Sequence, residues 1–456
     1  MIKRFLSRYS FSYPRTIVYM LQSSEYNIHD YLSWYFKVSD FKKVEVRKKF
    51  NKTAKGLLLL VCAWAIIILS FILIDNLLLA LLLFPYILAY GIIIPLLLIK
   101  LIQLPIEYYL LSKTKTKIKN HKAFKIAIAG SFGKTTMREI LKTVLSEGKI
   151  VSAPKDSYNT PLGISKFVEG LSGDEEIIIF ELGEYYPGDI RQLCDIINPN
   201  MGIITGINEA HLKRFKTIDS TVKTIYELGE YLDSIYVNGD SSLALDSARK
   251  TDIIYSSNGM GTSLVLDAKT DLNGLSFKFR NSEFKSKLLG IHQIGPLVCA
   301  IEIALSLGLS MEQIQKGVAK TKPFSHRLEP KTDPSGVVII DDSYNGNPDG
   351  VRVAIDFLKS ISGRRFYITP GLVEMGAKTK EVHLEIGKML ALAKIEHIVL
   401  IRNSVTGYIE EGLKDNDFKG ELIWFDSALE AYNSIPSITI SGDVVLLQND
   451  WPDQYL

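Results

Sequence analysis

The sequence predicts an α/β protein: a doubly wound, mostly parallel-sheet domain and then a second α/β domain, preceded by a two-helix transmembrane hairpin. Three observations predict it. Two apolar runs, residues 56–74 and 77–99, are separated only by Asp75 and Asn76. From residue 124 onward, short continuous apolar runs alternate with helical stretches, the pattern of strands covered on both faces. Near Lys322 the alternation restarts, which marks a second sheet.

The elements follow in order. The opening twenty residues are basic but lack a continuous apolar core, so they do not read as a cleaved signal peptide. Residues 1–55 form an N-terminal segment, amphipathic, helical and aromatic-rich over 15–50. It either lies on a bilayer surface or packs on the rest of the protein. At about 1.5 Å per residue the run 56–74 spans about 28 Å, roughly the hydrocarbon thickness of a bilayer. The second run contains Pro85, Gly91 and Pro95, which a membrane helix tolerates as bends. Residues 42–55 hold seven Lys or Arg against one Glu, and residues 113–125 hold six Lys. Both ends of the hairpin, 56–103, therefore favour the cytoplasm. Residues 104–123, with "KTKTKIKNHK", read as a solvated basic linker that meets anionic headgroups.

Net charge is +3 with 23% charged residues, which does not suggest a nucleic-acid binder. Cys62, Cys194 and Cys299 are far apart and read as small buried hydrophobes rather than a disulfide framework. The seven histidines show no zinc-site spacing.

Strands are expected at 124–129, 176–182, 201–207 and 233–239, with helices at about 134–147, 189–197, 219–232 and 293–308. These define a central domain, 124–321. Strands at 336–342, 364–370, 396–402 and 443–448, with helices at 346–360 and 381–394, define a C-terminal Rossmann-like domain, 322–456.

Between the first strand and its helix lies Gly130-Ser131-Phe132-Gly133-Lys134-Thr135-Thr136. Glycines let backbone N–H groups turn toward phosphate oxygens, and a helix N-terminus adds positive potential. Lys134 is placed for β- and γ-phosphates, and Thr135 for Mg²⁺. The full eight-residue phosphate-loop pattern is not met, because residue 128 is Ile; a shorter G-x-x-G-K-T-T pattern is. The reading is an ATP site.

Several stretches in one order resemble the Mur ligase family, ATP-dependent amide-forming enzymes of cell-wall synthesis, and most of all its MurF branch. They are "AGSFGKTT", "NTPLGIS" (159–165), "FELGEYYPGDI" (180–190), "AHLKRF" (210–215), "HRLEP" (326–330), "DDSYNGNPDG" (341–350), and "GLVEMG" (371–376) with His383. The likeness covers about residues 124–450. It implies that a carboxylate is activated as an acyl phosphate and attacked by an amine. The partners it implies are ATP, an envelope-precursor carboxylate and an amino acid or dipeptide amine.

The resemblance also implies site residues. Glu181, at the end of a strand that should face the crevice, is expected to ligate Mg²⁺. His211 is expected to be a second-metal ligand or to contact the acyl phosphate. Asp341 or Asp342 is expected to hold the ribose or position the nucleotide, with Tyr344, Asn345 and Asn347 in the following loop. Arg327, at the domain junction, is expected to clamp phosphate.

The match departs from the family in three places. A metal-bridging carbamoylated lysine of the family aligns with Ile225; Lys223, two residues earlier, faces elsewhere on a helix. Either Lys223 substitutes or the second metal site is altered. The family's adenine segment appears as "GIHQIGP" (290–296), with Gln293 and Pro296 where asparagines are expected. The residues before the loop are largely a membrane hairpin in place of the usual UDP-binding domain. The expected acceptor is therefore membrane-associated or part of an envelope polymer. The expected function is that of a membrane-anchored amide ligase, the alternatives being a membrane-bound poly-amino-acid or capsule ligase and a non-catalytic nucleotide-binding scaffold for envelope enzymes.

Overall fold

A computed structural model describes residues 2–45, 49–155, 158–208, 215, 217–343, 346–373 and 375–449. The chain divides into two compact units, one ending at Tyr109 and the other beginning at Leu110.

The first unit is helical. Helices Tyr13–Ser23 and Ile28–Lys37 bury Tyr13, Ile17, Tyr31 and Tyr35 against Leu59, Ala63, Leu88 and Ala89 of the apolar runs. The aromatic segment thus packs on the apolar helices. Its hydroxyls serve backbone carbonyls there: Tyr31 Oη donates to Ala89 O at 2.8 Å and Tyr13 Oη to Pro85 O at 3.0 Å. The apolar runs form helices Ala54–Leu73, Leu77–Gly91 and Ile93–Asn120. Thr53 and Asn76 cap the first two, accepting from Gly56 N at 3.1 Å and Leu79 N at 3.0 Å. The expected single helix over 77–99 is broken at Ile92. Pro95 lacks the N–H that would close a bond to the Gly91 carbonyl.

The expected linker, 104–123, is instead helical as far as Asn120. Leu111, Thr114 and Ile118, spaced three and four apart, turn onto the second unit's core, whereas Lys113, Lys115 and Lys119 are exposed. That is an amphipathic helix with a narrow buried stripe.

The second unit carries three sheets. Strands β1 (Phe124–Ala129), β2 (Val151–Ser152), β3 (Ile177–Glu181), β4 (Met201–Ile204), β5 (Tyr236–Asn238), β6 (Ile253–Ser256), β7 (Gly259–Met260) and β8 (Ser263–Leu264) pair in the order β2-β3-β1-β4-β5-β6-β7-β8. The pairs from β2 to β6 are parallel, and β7 and β8 add an antiparallel edge. Successive side chains in a strand face opposite sides. Ile126 and Ile128 accordingly enter one core with helices Lys134–Leu145 and Ile294–Ser306. Ala127 and Ala129 enter the other, with helices Asp189–Ile197 and Ile218–Tyr226. Burial on both faces explains the unbroken apolar strands.

An antiparallel sheet of β9 (Leu266–Asp271), β10 (Gly274–Phe279) and β11 (Ser282–Ser286) follows. The third sheet contains β12 (Glu329–Thr332), β13 (Val338–Asp342), β14 (Arg365–Thr369), β15 (His397–Ile401), β16 (Glu421–Phe425) and β17 (Val444–Gln448), in the order β12-β13-β17-β14-β15-β16. Only β12 is antiparallel within it.

Candidate active site at the end of the first strand

Strand β1 has β3 on one side and β4 on the other. A crevice opens at the carboxyl ends of strands where the order diverges in this way. The loop 130–133 lies there. Gly130 has φ +142°, and a Cβ on it would overlap Thr205 Oγ1 and stand 2.9 Å from Gly206 O. Gly133, at φ +80°, starts the helix. Both positions favour glycine for steric reasons. Ser131 N donates to Gly206 O at 2.7 Å, and the Thr205 hydroxyl donates to Phe132 O. The segment after β4 therefore holds the loop's shape. Ser131 Oγ is buried without a partner among the described residues.

The loop opens on a cavity of about 830 Å³ lined by Phe132, Gly133, Thr136 and Gln293, and from the C-terminal domain by Arg327 and Asp342. Lys134 and Thr135 point from the first helical turn toward two buried carboxylates. Lys134 Nζ pairs with Glu184 at 2.8 and 3.0 Å and also donates to Gly130 O. Thr135 Oγ1 donates to Glu181 Oε2 at 3.3 Å, and Arg138 Nη1 stands 2.9 Å from Glu181 Oε1. Glu181 is 1% exposed. Burial raises its pKa, against the pull of Arg138, Lys134 and the Thr135 hydroxyl. Thr135 and Glu181 together present hard oxygen donors, the set that suits Mg²⁺.

The structure separates the two aspartates. Asp342 lines the cavity; it accepts from Gln448 Nε2 at 2.9 Å and from Leu328 N at 3.2 Å. Burial pushes its pKa up to about 6, against the pull of Arg327. Asp341 turns away, pairing with His326 at 2.9 Å and accepting from the Ser343 hydroxyl at 2.7 Å. Alternation along β13 puts these neighbours on opposite faces. Residues 326 and 328 have φ +64° and +43°, so the backbone is strained on both sides of Arg327.

Gln293 lines the cavity, its Nε2 2.9 Å from His292 Nε2. Burial lowers the His292 pKa to about 4, so the imidazole is neutral. Lys223 is not brought to the site: it is exposed, and the cavity lining does not include it. Ile225, at the expected lysine position, is fully buried in the second core. Exposure of Lys223 and burial of Ile225 both follow from the helical spacing. His211, Tyr344 and Asn345 lie outside the described residues.

Three residues went unread in the sequence. Glu184 and Arg138 complete the charge network around Lys134 and Glu181. Asn208 Nδ2 donates to Asn347 Oδ1 at 2.8 Å and Asp349 Oδ2 at 3.0 Å, joining the central and C-terminal domains. Only Glu184 had a local signal, as a second carboxylate three residues beyond Glu181.

The chain is similar to known proteins over the same elements. Residues 128–304 match the Mur ligase middle domain, and residues 326–448 match the Mur ligase glutamate ligase domain. The chain is 25% identical over 331 residues to the UDP-N-acetylmuramoyl-tripeptide–D-alanyl-D-alanine ligase of Bacillus subtilis, covering 71% of this chain and 72% of that one. Of the Bacillus subtilis relative it spans 72% of the length, and of the Mycobacterium bovis ligase of the same name 58%. Among solved structures, MurF from Acinetobacter baumannii superposes with TM-score 0.67 at 23% identity, over 75% of this chain and 77% of that one. MurF from Thermotoga maritima, in complex with ADP, gives TM-score 0.66 at 22% identity, over 75% and 80%. The two structural likenesses establish the fold. With both domain models matched in order over the loop, the crevice and the second sheet, the chain belongs to the Mur ligase family of ATP-dependent carbon–nitrogen ligases.

Proposed function

We propose that this chain is a membrane-anchored, ATP-dependent amide ligase that activates a carboxylate for attack by an amine in cell-wall or envelope polymer synthesis. One observation carries the reading: the loop 130–136 opens on a cavity to which the C-terminal domain contributes Arg327 and Asp342. A carboxylate oxygen attacks the γ-phosphorus of ATP, and ADP leaves. The amine nitrogen then attacks the acyl carbon, phosphate leaves, and the nitrogen loses a proton. The chain's own part is charge neutralisation and alignment. Loop amides and Lys134 face the triphosphate, with Glu184 holding the lysine until then. Arg327 adds positive charge from the other domain. Mg²⁺ held by Thr135 and Glu181 would neutralise phosphate charge further.

The Bacillus subtilis relative is named for UDP-N-acetylmuramoyl-tripeptide and D-alanyl-D-alanine. By that relation this chain takes an envelope-precursor carboxylate and an amino acid or dipeptide amine. The test incubates the full chain with ATP, UDP-N-acetylmuramoyl-tripeptide and D-alanyl-D-alanine, then with other amino acids, and follows ADP and product mass. ADP that appears only when a carboxylate and an amine are both present supports the ligase. ATP binding without ADP from any pair would favour the non-catalytic scaffold, a reading suggested by buried Ile225.

Membrane anchoring rests on the helix Ala54–Leu73 and the stretch Leu77–Asn120, long and apolar enough to span, with 22% and 28% of their most apolar windows buried. Flanking lysines favour a cytoplasmic side for the ligase domains. Retention in the membrane pellet after alkaline carbonate supports this; release contradicts it.

A further inference from the structure

We propose that the apolar hairpin lies along the membrane surface, with its bare face set into one leaflet, rather than crossing the bilayer. The proposal rests on the membrane-anchored reading and concerns only the form of the anchor.

The placement of charge along the hairpin carries it. At one end Lys55 Nζ donates to Gln103 Oε1 at 3.1 Å and Lys100 Nζ to Tyr26 O at 3.2 Å. A hairpin that crossed the bilayer would leave the hydrocarbon near this level. The N-terminal helices continue from Tyr26 along the hairpin to Pro85, whose carbonyl accepts from Tyr13 Oη, and to Tyr86, whose hydroxyl accepts from Arg8 Nη1 at 2.7 Å. Pro85 precedes Lys100 by 15 residues, about 20 Å of helix. That is beyond the middle of a hydrocarbon layer about 30 Å thick. Charged side chains accompany the helices to this level. Phe41 packs on Tyr13 with ring centres 5.2 Å apart, and the adjacent Lys42 and Lys43 are exposed. Asp40, on the other side of Phe41, pairs at 3.7 Å with Lys3, whose side chain is 72% exposed. Such groups are costly at hydrocarbon depth, and an aspartate is too short to reach the headgroups from there. With the hairpin laid along the surface, the same groups face water.

The opposite side suits lipid over its whole length. Leu57, Val61, Ile68 and Ile72 follow helical spacing and are exposed. Leu59 and Ala63, about 200° round the helix from the first two, are buried beneath the N-terminal helices. In the other arm Ile94, Leu98 and Leu101 are exposed, and Leu96 among them is buried. A bare apolar stripe thus follows both arms, opposite the charged helices. A patch of this extent marks a membrane or protein contact, and a body charged on one long side and apolar on the other lies in the plane of a bilayer interface. In that plane Asp75 and Asn76, at the turn, stay on the same side of the membrane as the ligase domains.

The test places single cysteines in the full chain with Cys62→Ala; Cys194 and Cys299 are buried. A membrane-impermeant maleimide is applied to sealed right-side-out and inverted vesicles from the same cells. Lys223→Cys, exposed on the central domain, marks the ligase side. Asp75→Cys and Lys42→Cys are expected to be labelled in the same vesicles as Lys223→Cys, and at least tenfold less in the others. Val61→Cys is expected to be labelled in neither. Labelling of Asp75→Cys only from the side opposite Lys223→Cys means that the hairpin crosses, and overturns the proposal. Labelling of Asp75→Cys or of Lys42→Cys from neither side places that position in the hydrocarbon and also overturns it. Oxidative coupling of Val61→Cys between two copies would make the bare face a protein interface and overturn the lipid assignment. ADP binding by each variant shows that it is folded. Release of the unmodified chain by alkaline carbonate would end the membrane reading itself, whereas retention with Asp75→Cys on the far side ends only this proposal.

Discussion

Arg138 is the sharpest test of how the buried carboxylates beside the loop are held. The Arg138 and Glu181 side chains are 4% and 2% exposed and 2.9 Å apart. Replacing Arg138 with Met leaves Glu181 buried with the Thr135 hydroxyl at 3.3 Å. Removing one partner of a buried pair costs about 3–5 kcal/mol. At about 2–4 °C per kcal/mol for a domain of this size, the central domain should unfold about 6–20 °C lower. Glu181→Gln in the Arg138→Met background removes the orphaned charge and should recover most of the loss. The assay is thermal unfolding of the full chain in detergent, with wild type, both single variants and the double variant on one cycle. An Arg138→Met protein that unfolds at the wild-type temperature, or a double variant no better than Arg138→Met, would refute the ion-pair argument.

Further outcomes follow from the site. Gly130→Ala forces a side chain into Thr205 and Gly206 at φ +142°; nucleotide affinity, measured by titration with ADP, should fall at least tenfold while the chain remains folded. Asp342 has its pKa raised to about 6, so it binds a proton more readily folded than unfolded. Its ionisation therefore erodes stability as pH rises from about 4 to about 6. Its charge beside Arg327 is conversely lost as pH falls through about 6. ADP release should decline over that interval in wild type, and Asp342→Asn should abolish that limb of the profile. Lys223→Ala should leave ADP release within about twofold of wild type, since the side chain is exposed and outside the cavity; a loss of a hundredfold would restore it as a metal-bridging lysine.

What was legible in the sequence was local. The loop between β1 and its helix needs only a strand, two glycines and a lysine in succession, and the structure places it so. Strands β1, β3, β4, β5, β13, β14, β15 and β17 were legible because burial on both faces leaves no polar interruptions, whereas β2, β6, β12 and β16 of the same sheets were not foreseen. What failed was tertiary. Asp341 and Asp342 are equivalent in sequence, and only the packing of β13 decides that the second faces the cavity. The pairing of Lys134 with Glu184, and of Arg138 with Glu181, joins residues 50 and 43 positions apart, which no spacing rule reports. The run "KTKTKIKNHK" looked solvated because its lysines dominate the composition. Its buried positions, Thr114 and Ile118, with half-buried Leu111 just before the run, carry the helix. The short strands β7 to β11 lack a long apolar run and were not foreseen.

The measurement closest to the central claim is equilibrium binding of ATP to the full chain, compared with Lys134→Ala and read alongside membrane retention. The account predicts saturable binding in wild type, loss of about a hundredfold or more in the variant from missing charge-assisted contacts to phosphate, and unchanged retention in the membrane. Equal affinity in the two proteins would mean that the loop at the end of β1 does not hold the triphosphate.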